Sequence, residues 1–168
     1  HVIDAIAEIF RSTPDLMRQV ETSLVERVWE LAKQERKDVY TNFLCGLLQH
    51  NDRPIKANQD AVSAIVIKNF PQSGPQNGKF FNSDWSKLDG AQRHDDKPEH
   101  AEFFFHASFT TLAALLCAGR HRESIDFFLK ERQFGFTYKR VLSYLSKNNP
   151  CPSCAAYSHL MKTLFVDR

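Results

Sequence analysis

Several features are scarce in this 168-residue chain, and each scarcity excludes a class of protein. Six Gly and seven Pro are too few for a fibrous or low-complexity sequence. An excess of one charge sign is missing too: 22 Lys and Arg stand against 20 Asp and Glu, a net +2. Without a cation excess there is little to neutralise a phosphate backbone, which argues against a general nucleic-acid binder. The same balance argues against polybasic adhesion to a membrane surface. No stretch approaches the roughly 18 unbroken apolar residues of a membrane-spanning helix. Cysteine is sparse, with Cys45, Cys117, Cys151 and Cys154 only, where a secreted scaffold of this size carries a denser framework. Cys45 and Cys117 fall inside apolar helical patterns, in which a free thiol behaves as a small hydrophobe. The compartment therefore reads as reducing. No Ser-His-Asp order, Gly-rich phosphate loop or paired-carboxylate motif stands out.

Phenylalanine, by contrast, is plentiful at fourteen residues, enough large aromatics to fill a core in a short chain. The apolar residues recur at helical spacing. Val2, Ile3, Ile6, Ile9 and Phe10 form a first stripe. Ser12-Thr13-Pro14-Asp15 then supplies a cap with proline at a first helical position, and residues 14–33 read as helix, with a break near Thr22-Ser23. Tyr40, Phe43, Leu44, Leu47 and Leu48 form the next stripe, ended by a turn at Asn51-Asp52-Arg53-Pro54. Val62, Ile65 and Val66 mark another helix; Ile65-Val66-Ile67 alone could be a strand, but it has no sheet partners. Residues 71–98 hold the Gly, Pro and Asp signals of a long loop, with Phe80, Phe81 and Trp85 packing part of it back. Periodicity resumes with Phe105, Phe109, Leu112, Leu115 and Leu116, in a helix that Ala118-Gly119 ends. Shorter stripes follow around Ile125, Phe128 and Leu129 and around Val141, Leu142 and Leu145. A last helix opens near Pro152 and carries Tyr157, Leu160, Leu164 and Phe165. The expectation is an all-α chain of about eight helices, as a closed bundle or a stack of helical pairs. It would be one unit, with helical halves at 1–70 and 99–168 around the loop. Both ends read as cut from a longer protein.

Four groups of residues bring chemistry into view. Cys151-Pro152-Ser153-Cys154 is a C-x-x-C at a helix start, with His159 as a third metal-ligand type. A redox or zinc role for it needs a βαβ context or a fourth ligand, and the sequence supplies neither, so a turn with two small residues is the reading. His94, Asp95, Asp96, Glu99, His100 and His106 gather metal-ligand types in or beside the loop, where a solvated setting is expected. Arg120, His121, Arg122, Lys130, Arg132, Lys139 and Arg140 make the second half locally basic. Within that set Arg120, Arg122, Lys139 and Arg140 are candidates for an anion or inositol-phosphate site. Interleaved Glu123, Asp126 and Glu131 favour ordinary surface pairing instead. Phe103-Phe104-Phe105 cannot all face one core, because adjacent helical residues point about 100° apart. One of the three should meet the loop, a neighbouring repeat or a partner. No catalytic residue, cofactor site or complete metal site is assigned.

Two segments carry a family resemblance. Tyr40-Thr41-Asn42-Phe43-Leu44-Cys45-Gly46-Leu47-Leu48, followed by Ile55-Lys56-Ala57-Asn58-Gln59-Asp60-Ala61-Val62, resembles a stretch of the homology domain shared by inositol trisphosphate receptors and ryanodine receptors. Leu112-Ala113-Ala114-Leu115-Leu116-Cys117-Ala118-Gly119-Arg120 is similar to a later helix of that family. Tyr138-Lys139-Arg140-Val141-Leu142, Cys151-Pro152 and the closing Ala156-Tyr157 to Phe165-Val166-Asp167 follow at fitting distances. Order and spacing agree from about residue 24 to the end; residues 1–23 match only as generic helix, and the 71–98 loop has no counterpart.

The resemblance implies an armadillo-like helical solenoid on the cytosolic face of an endoplasmic-reticulum calcium-release channel. The segment itself would be non-catalytic and out of contact with the membrane. Its partners would be neighbouring repeats of its own chain and other subunits of a tetrameric channel. The family's basic ligand residues lie in an earlier segment, so no ligand residue is carried over. The alternative from another class is a free-standing helical-repeat domain that binds a peptide or protein. A small thiol- or metal-dependent enzyme using the C-x-x-C comes third.

Overall fold

The structure, a computed structural model, describes residues 2–13, 16, 20–50, 53–70, 98–130, 136–146 and 151–167. Eight α-helices are found among them: α1 (Val2–Ser12), α2 (Thr22–Glu35), α3 (Asp38–Leu48), α4 (Lys56–Asn69), α5 (Pro98–Cys117), α6 (Arg122–Lys130), α7 (Tyr138–Leu145) and α8 (Cys151–Met161). A 3₁₀ turn, Ala118–Arg120, follows α5, and a π-helical turn, Lys162–Val166, follows α8. The all-α reading holds at this level. Two details differ. The break expected near Thr22-Ser23 falls at Val20 and Glu21, and Thr22 already opens α2. The turn around residue 52 is flanked by two short strands, β1 (Gln49–His50) and β2 (Arg53–Pro54), paired antiparallel with Gln49 opposite Pro54. Two residues per strand are too few to show as alternation in a sequence. The 71–97 segment, with Phe80, Phe81 and Trp85, lies outside the described residues.

Helix α5 is the axis of the protein. Its segment Ala101–Arg120 is long and apolar enough to cross a membrane by length and composition, yet 72% of that apolar window is buried inside the protein. The cover comes from two sides, since α3 packs along one flank and α8 along the other. Two-sided cover explains the Phe run: Phe103 and Phe105, about 200° apart around the helix, are both buried. Phe104 stays half-buried with its ring edge-on to Phe103 at 5.5 Å. The buried hydroxyls of the same helix bond to its own backbone, Ser108 Oγ to the Phe105 carbonyl at 3.0 Å and Thr110 Oγ1 to the His106 carbonyl at 2.9 Å. Such local bonds let small polar residues enter a core without loss of a partner.

The remaining helices form two ranks. Helix α1 lies on α3, α3 on α5 and α5 on α8; in the other rank α2 lies on α4 and α4 on α6. Contacts of α2 with α3, of α4 with α5 and of α7 with α8 join chain neighbours. The core runs through both ranks. Trp29 of α2 sits between Phe70 (6.3 Å between ring centroids) and Phe109 of α5 (6.1 Å), and Phe128 of α6 meets Phe136 at 6.1 Å. Burying a side chain such as Phe109, Leu112 or Leu116 contributes about 1.5–3 kcal/mol each, so α5 alone concentrates a large share of the folding energy.

Helix α2 ends on Arg36 in the left-handed region (φ 51°), whose N–H closes on the Ala32 carbonyl at 3.1 Å. A non-glycine residue is uncommon there. Its side chain is held by a two-pronged pair with Glu102 of α5, both N–O distances being 2.7 Å, and its guanidinium lies 5.1 Å from the Phe105 ring centroid. Helix α5 closes through Gly119 (φ +64°), where the backbone and not the available space asks for glycine, since an added Cβ would come no nearer than 3.6 Å to Pro54.

Candidate functional site: helix ends capped across the stack

An α-helix leaves its last four carbonyls without internal partners. Neither α3 nor α5 carries a basic side chain in its last turn to satisfy them. The partners come from neighbouring helices. Asn58 Nδ2, in the first turn of α4, donates to the Leu47 carbonyl of α3 at 2.7 Å. Gln59 Nε2, the next residue, donates to three carbonyls at the end of α5: Leu115 (3.0 Å), Leu116 (2.9 Å) and Ala118 (2.8 Å). At the end of α4, Lys33 Nζ of α2 donates to the Asn69 carbonyl at 3.2 Å while held by Glu30 at 2.6 Å. After the π turn, Arg120 Nε donates to the Asp167 carbonyl at 2.9 Å. Four helix ends are thus tied to a different element of the stack.

The third residue of the Asn58-Gln59-Asp60 run continues the pattern. Asp60 Oδ1 lies 2.9 Å from His121 Nε2. The other ring nitrogen, Nδ1, accepts the Ser124 backbone N–H at 3.3 Å and lies 2.9 Å from Ser124 Oγ. Because Nδ1 accepts, the ring proton sits on Nε2 and is donated to Asp60. His121 therefore caps the N-terminus of α6 as Ser or Asp commonly does. The Ser124 hydroxyl pairs in turn with Ser63 Oγ of α4 at 2.7 Å. Asp60, His121 and Ser124 do stand in an acid-histidine-serine order in the chain, which sequence reading missed because 61 residues separate the first two. Proximity does not make them a nucleophilic triad. Ser124 is fully buried, so its hydroxyl offers no surface to an electrophile.

The other expected sites come out as follows. Arg120, Arg122, Lys139 and Arg140 are all exposed. Arg120 reaches the π turn, while Tyr138, next to Lys139, packs its ring edge-on against Phe165 of the same turn at 5.6 Å. Arg140 acts electrostatically on the Tyr157 phenol. Two basic segments therefore approach the terminal turn separately.

The solvated setting expected for His106 is overturned. It is buried beside the central helix's neighbours, with Nε2 3.0 Å from the Tyr157 hydroxyl and its ring stacked on Tyr144. Helix α8 covers this flank of α5, which removes the residue from water. Burial also drives the Tyr157 phenol well above its ordinary range, so it keeps its proton. His94, Asp95 and Asp96 lie outside the described residues, as do the side chains of Glu99, His100 and Cys151. Cys154 is half-buried, and His159, five residues on, is about 140° away around the helix. No group of three or more metal-ligand side chains gathers among the described residues. Cys117 is buried in the core and Cys45 is half-buried against it, and burial pushes Cys45 up to about 12 and raises Cys117 as well.

The chain matches no protein-family model and no curated protein sequence. What fold and site define is a class: an all-α protein of two packed helical ranks whose helix ends are capped from neighbouring elements.

Proposed function

We propose that the chain is a solenoid segment of an inositol trisphosphate receptor-like intracellular calcium-release channel, and that its work is mechanical. In this reading it lies on the cytosolic face of the endoplasmic reticulum and passes ligand-driven movement between neighbouring repeats. The next-but-one contacts of α1 with α3, α3 with α5, α2 with α4 and α4 with α6 support a stacked reading of the first six helices, while α5 passes over α7 to lie on α8. One observation carries the proposal furthest. The two segments that carry the family resemblance, 55–62 and 112–120, meet in space, and Gln59 of the first caps the helix end formed by the second. A joint of this kind moves as one body, because displacing α4 takes the Gln59 donor from the buried Leu115 and Leu116 carbonyls and from Ala118 of the following turn. The segment needs no catalytic group for this.

Calcium release from membrane vesicles containing the full-length protein tests the reading. Inositol trisphosphate should trigger release. Gln59→Leu should reduce it while leaving ligand binding intact, because the ligand residues lie elsewhere. Full-length protein that neither associates with membranes nor releases calcium would reject the channel reading in favour of a free-standing interaction domain. The row of exposed apolar residues on α7 favours that second reading.

A further inference from the structure

Helix α7 and the π turn present an exposed apolar face among the described residues. Tyr138 (53% exposed) and Leu142 (46%) stand one helical turn apart on α7, and Val166 (70%) follows Phe165, against which Tyr138 packs. Single exposed apolar residues are ordinary on a protein surface; here three adjoin. Lys139 follows Tyr138 on α7, Lys162 opens the terminal turn and Arg120 donates to the Asp167 carbonyl next to Val166, whereas Arg140 lies about 200° from Tyr138 around α7 and acts on Tyr157. Lys139 and Lys162 make no ion pair among the described residues.

The placement of Lys139 and Arg140 is informative. Both lie in the first turn of α7, which has no acidic residue and where the helix dipole already presents positive charge. They weaken α7 in isolation, as does its exposed apolar row. One occupant relieves both costs, supplying apolar area for Tyr138, Leu142 and Val166 and carboxylates for Lys139 and Lys162.

We propose that this face docks an amphipathic helix of a partner protein, with an apolar stripe flanked by Asp or Glu. Tyr138 and Leu142, one turn apart, offer apolar area to the stripe of an amphipathic helix lying against them, and the lysines select against basic helices. The inference goes beyond the channel reading and stands without it, because it uses only this face.

The test is titration of the protein with three labelled synthetic helical peptides of equal length. One is a Leu/Glu amphipathic peptide, one has the same composition scrambled so that no apolar stripe forms, and one replaces each Glu by Lys. The Leu/Glu peptide should bind saturably, with amide shifts confined to α7 and the terminal turn. Leu142→Asp should weaken it by at least ~10-fold, the effect of removing one well-packed anchor. The double variant Lys139→Glu, Lys162→Glu should lose the Leu/Glu peptide and gain the Leu/Lys peptide, and that swap also shows the variant to be folded. Equal binding of the scrambled peptide, or binding indifferent to the charge reversal, would overturn the proposal. So would concentration-dependent self-association abolished by Leu142→Asp without peptide binding, since the occupant would then be a second copy of the chain.

Discussion

The Gln59 carboxamide nitrogen lies 2.8 Å from the Ala118 carbonyl oxygen, 59 residues away in the chain. One amide of α4 thereby closes the end of α5, the helix on which both flanks of the protein rest. Gln59 is buried, so water cannot take over its role.

Replacing Gln59 by Leu keeps the size and removes the donor. Buried carbonyls left without partners cost about 2–3 kcal/mol in total, to be read as a lower urea midpoint with an unchanged slope. Gln59→Glu is the sharper variant. At neutral pH it sets a carboxylate against three carbonyl oxygens and should destabilise at least as much as Leu. Near pH 4, where the carboxyl carries a proton it can donate, part of the loss should return. Equal stability of both variants and the parent would show that the α5 end is not held by this contact.

The same run of residues predicts an uneven pair of effects at α6. His121→Ala removes the acceptor for the Ser124 N–H and should cost about 1 kcal/mol, the usual value of an N-cap. Asp60→Asn should cost less, under about 1 kcal/mol, because its carboxylate is more than half exposed and the pair is screened by solvent. Thermal melts of both variants check the order. A larger loss for Asp60→Asn would mean that the pair, not the cap, secures α6.

How far this was legible beforehand follows from range in the chain. Helices α4, α5 and α8 carry apolar residues all round, whereas α1, α6 and α7 are visible as apolar periodicity because each has one apolar face fixed by local geometry. The Gly119 stop is visible for the same reason. The capping of α3 and α5 by Asn58 and Gln59 is not, since nothing local says which helix end an amide will meet 11 or 56 residues away. The residues themselves were singled out by resemblance alone, which marks position without stating its physical cause. The setting of His106 shows the limit from the other side: beside a polar segment it reads as solvated, and only the cover of α8 places it in the core.

Half-buried His159 makes stability depend on pH. Burial, and then the charge of Lys162, hold its pKa below the ordinary value. The unfolded chain therefore takes up a proton first as pH falls through about 6.5. Protonation favours the unfolded state over that window, so the contribution from His159 is fully present above about pH 6.5 and is lost toward the lower folded-state pKa. His159→Gln should flatten the fall in urea midpoint between pH 7.5 and pH 5. An unchanged slope would assign the acid sensitivity to other groups.

Cys45 and Cys117 give a readout of the central contact itself. Cys45 lies on α3 with its thiol 3.8 Å from the Ser108 carbonyl of α5, and Cys117 is the last residue of α5. Since only the thiolate reacts, raising Cys45 from a free-thiol value near 8.5 to about 12 lowers its reactive fraction at pH 7.5 by roughly three orders of magnitude. Burial acts in the same direction on Cys117. In iodoacetamide labelling followed by peptide mass analysis, Cys154 should react before Cys45, which is likewise half-buried but whose thiolate burial suppresses, and before buried Cys117. Cys45 and Cys117 should become reactive only in urea, at the midpoint of helix loss. Labelling of Cys45 well below that midpoint, with Cys117 still protected, would mean that α3 separates from α5 before the rest of the protein unfolds. Helix α5 would then be held more firmly by the Gln59 cap from the other rank than by α3, its neighbour in the same rank.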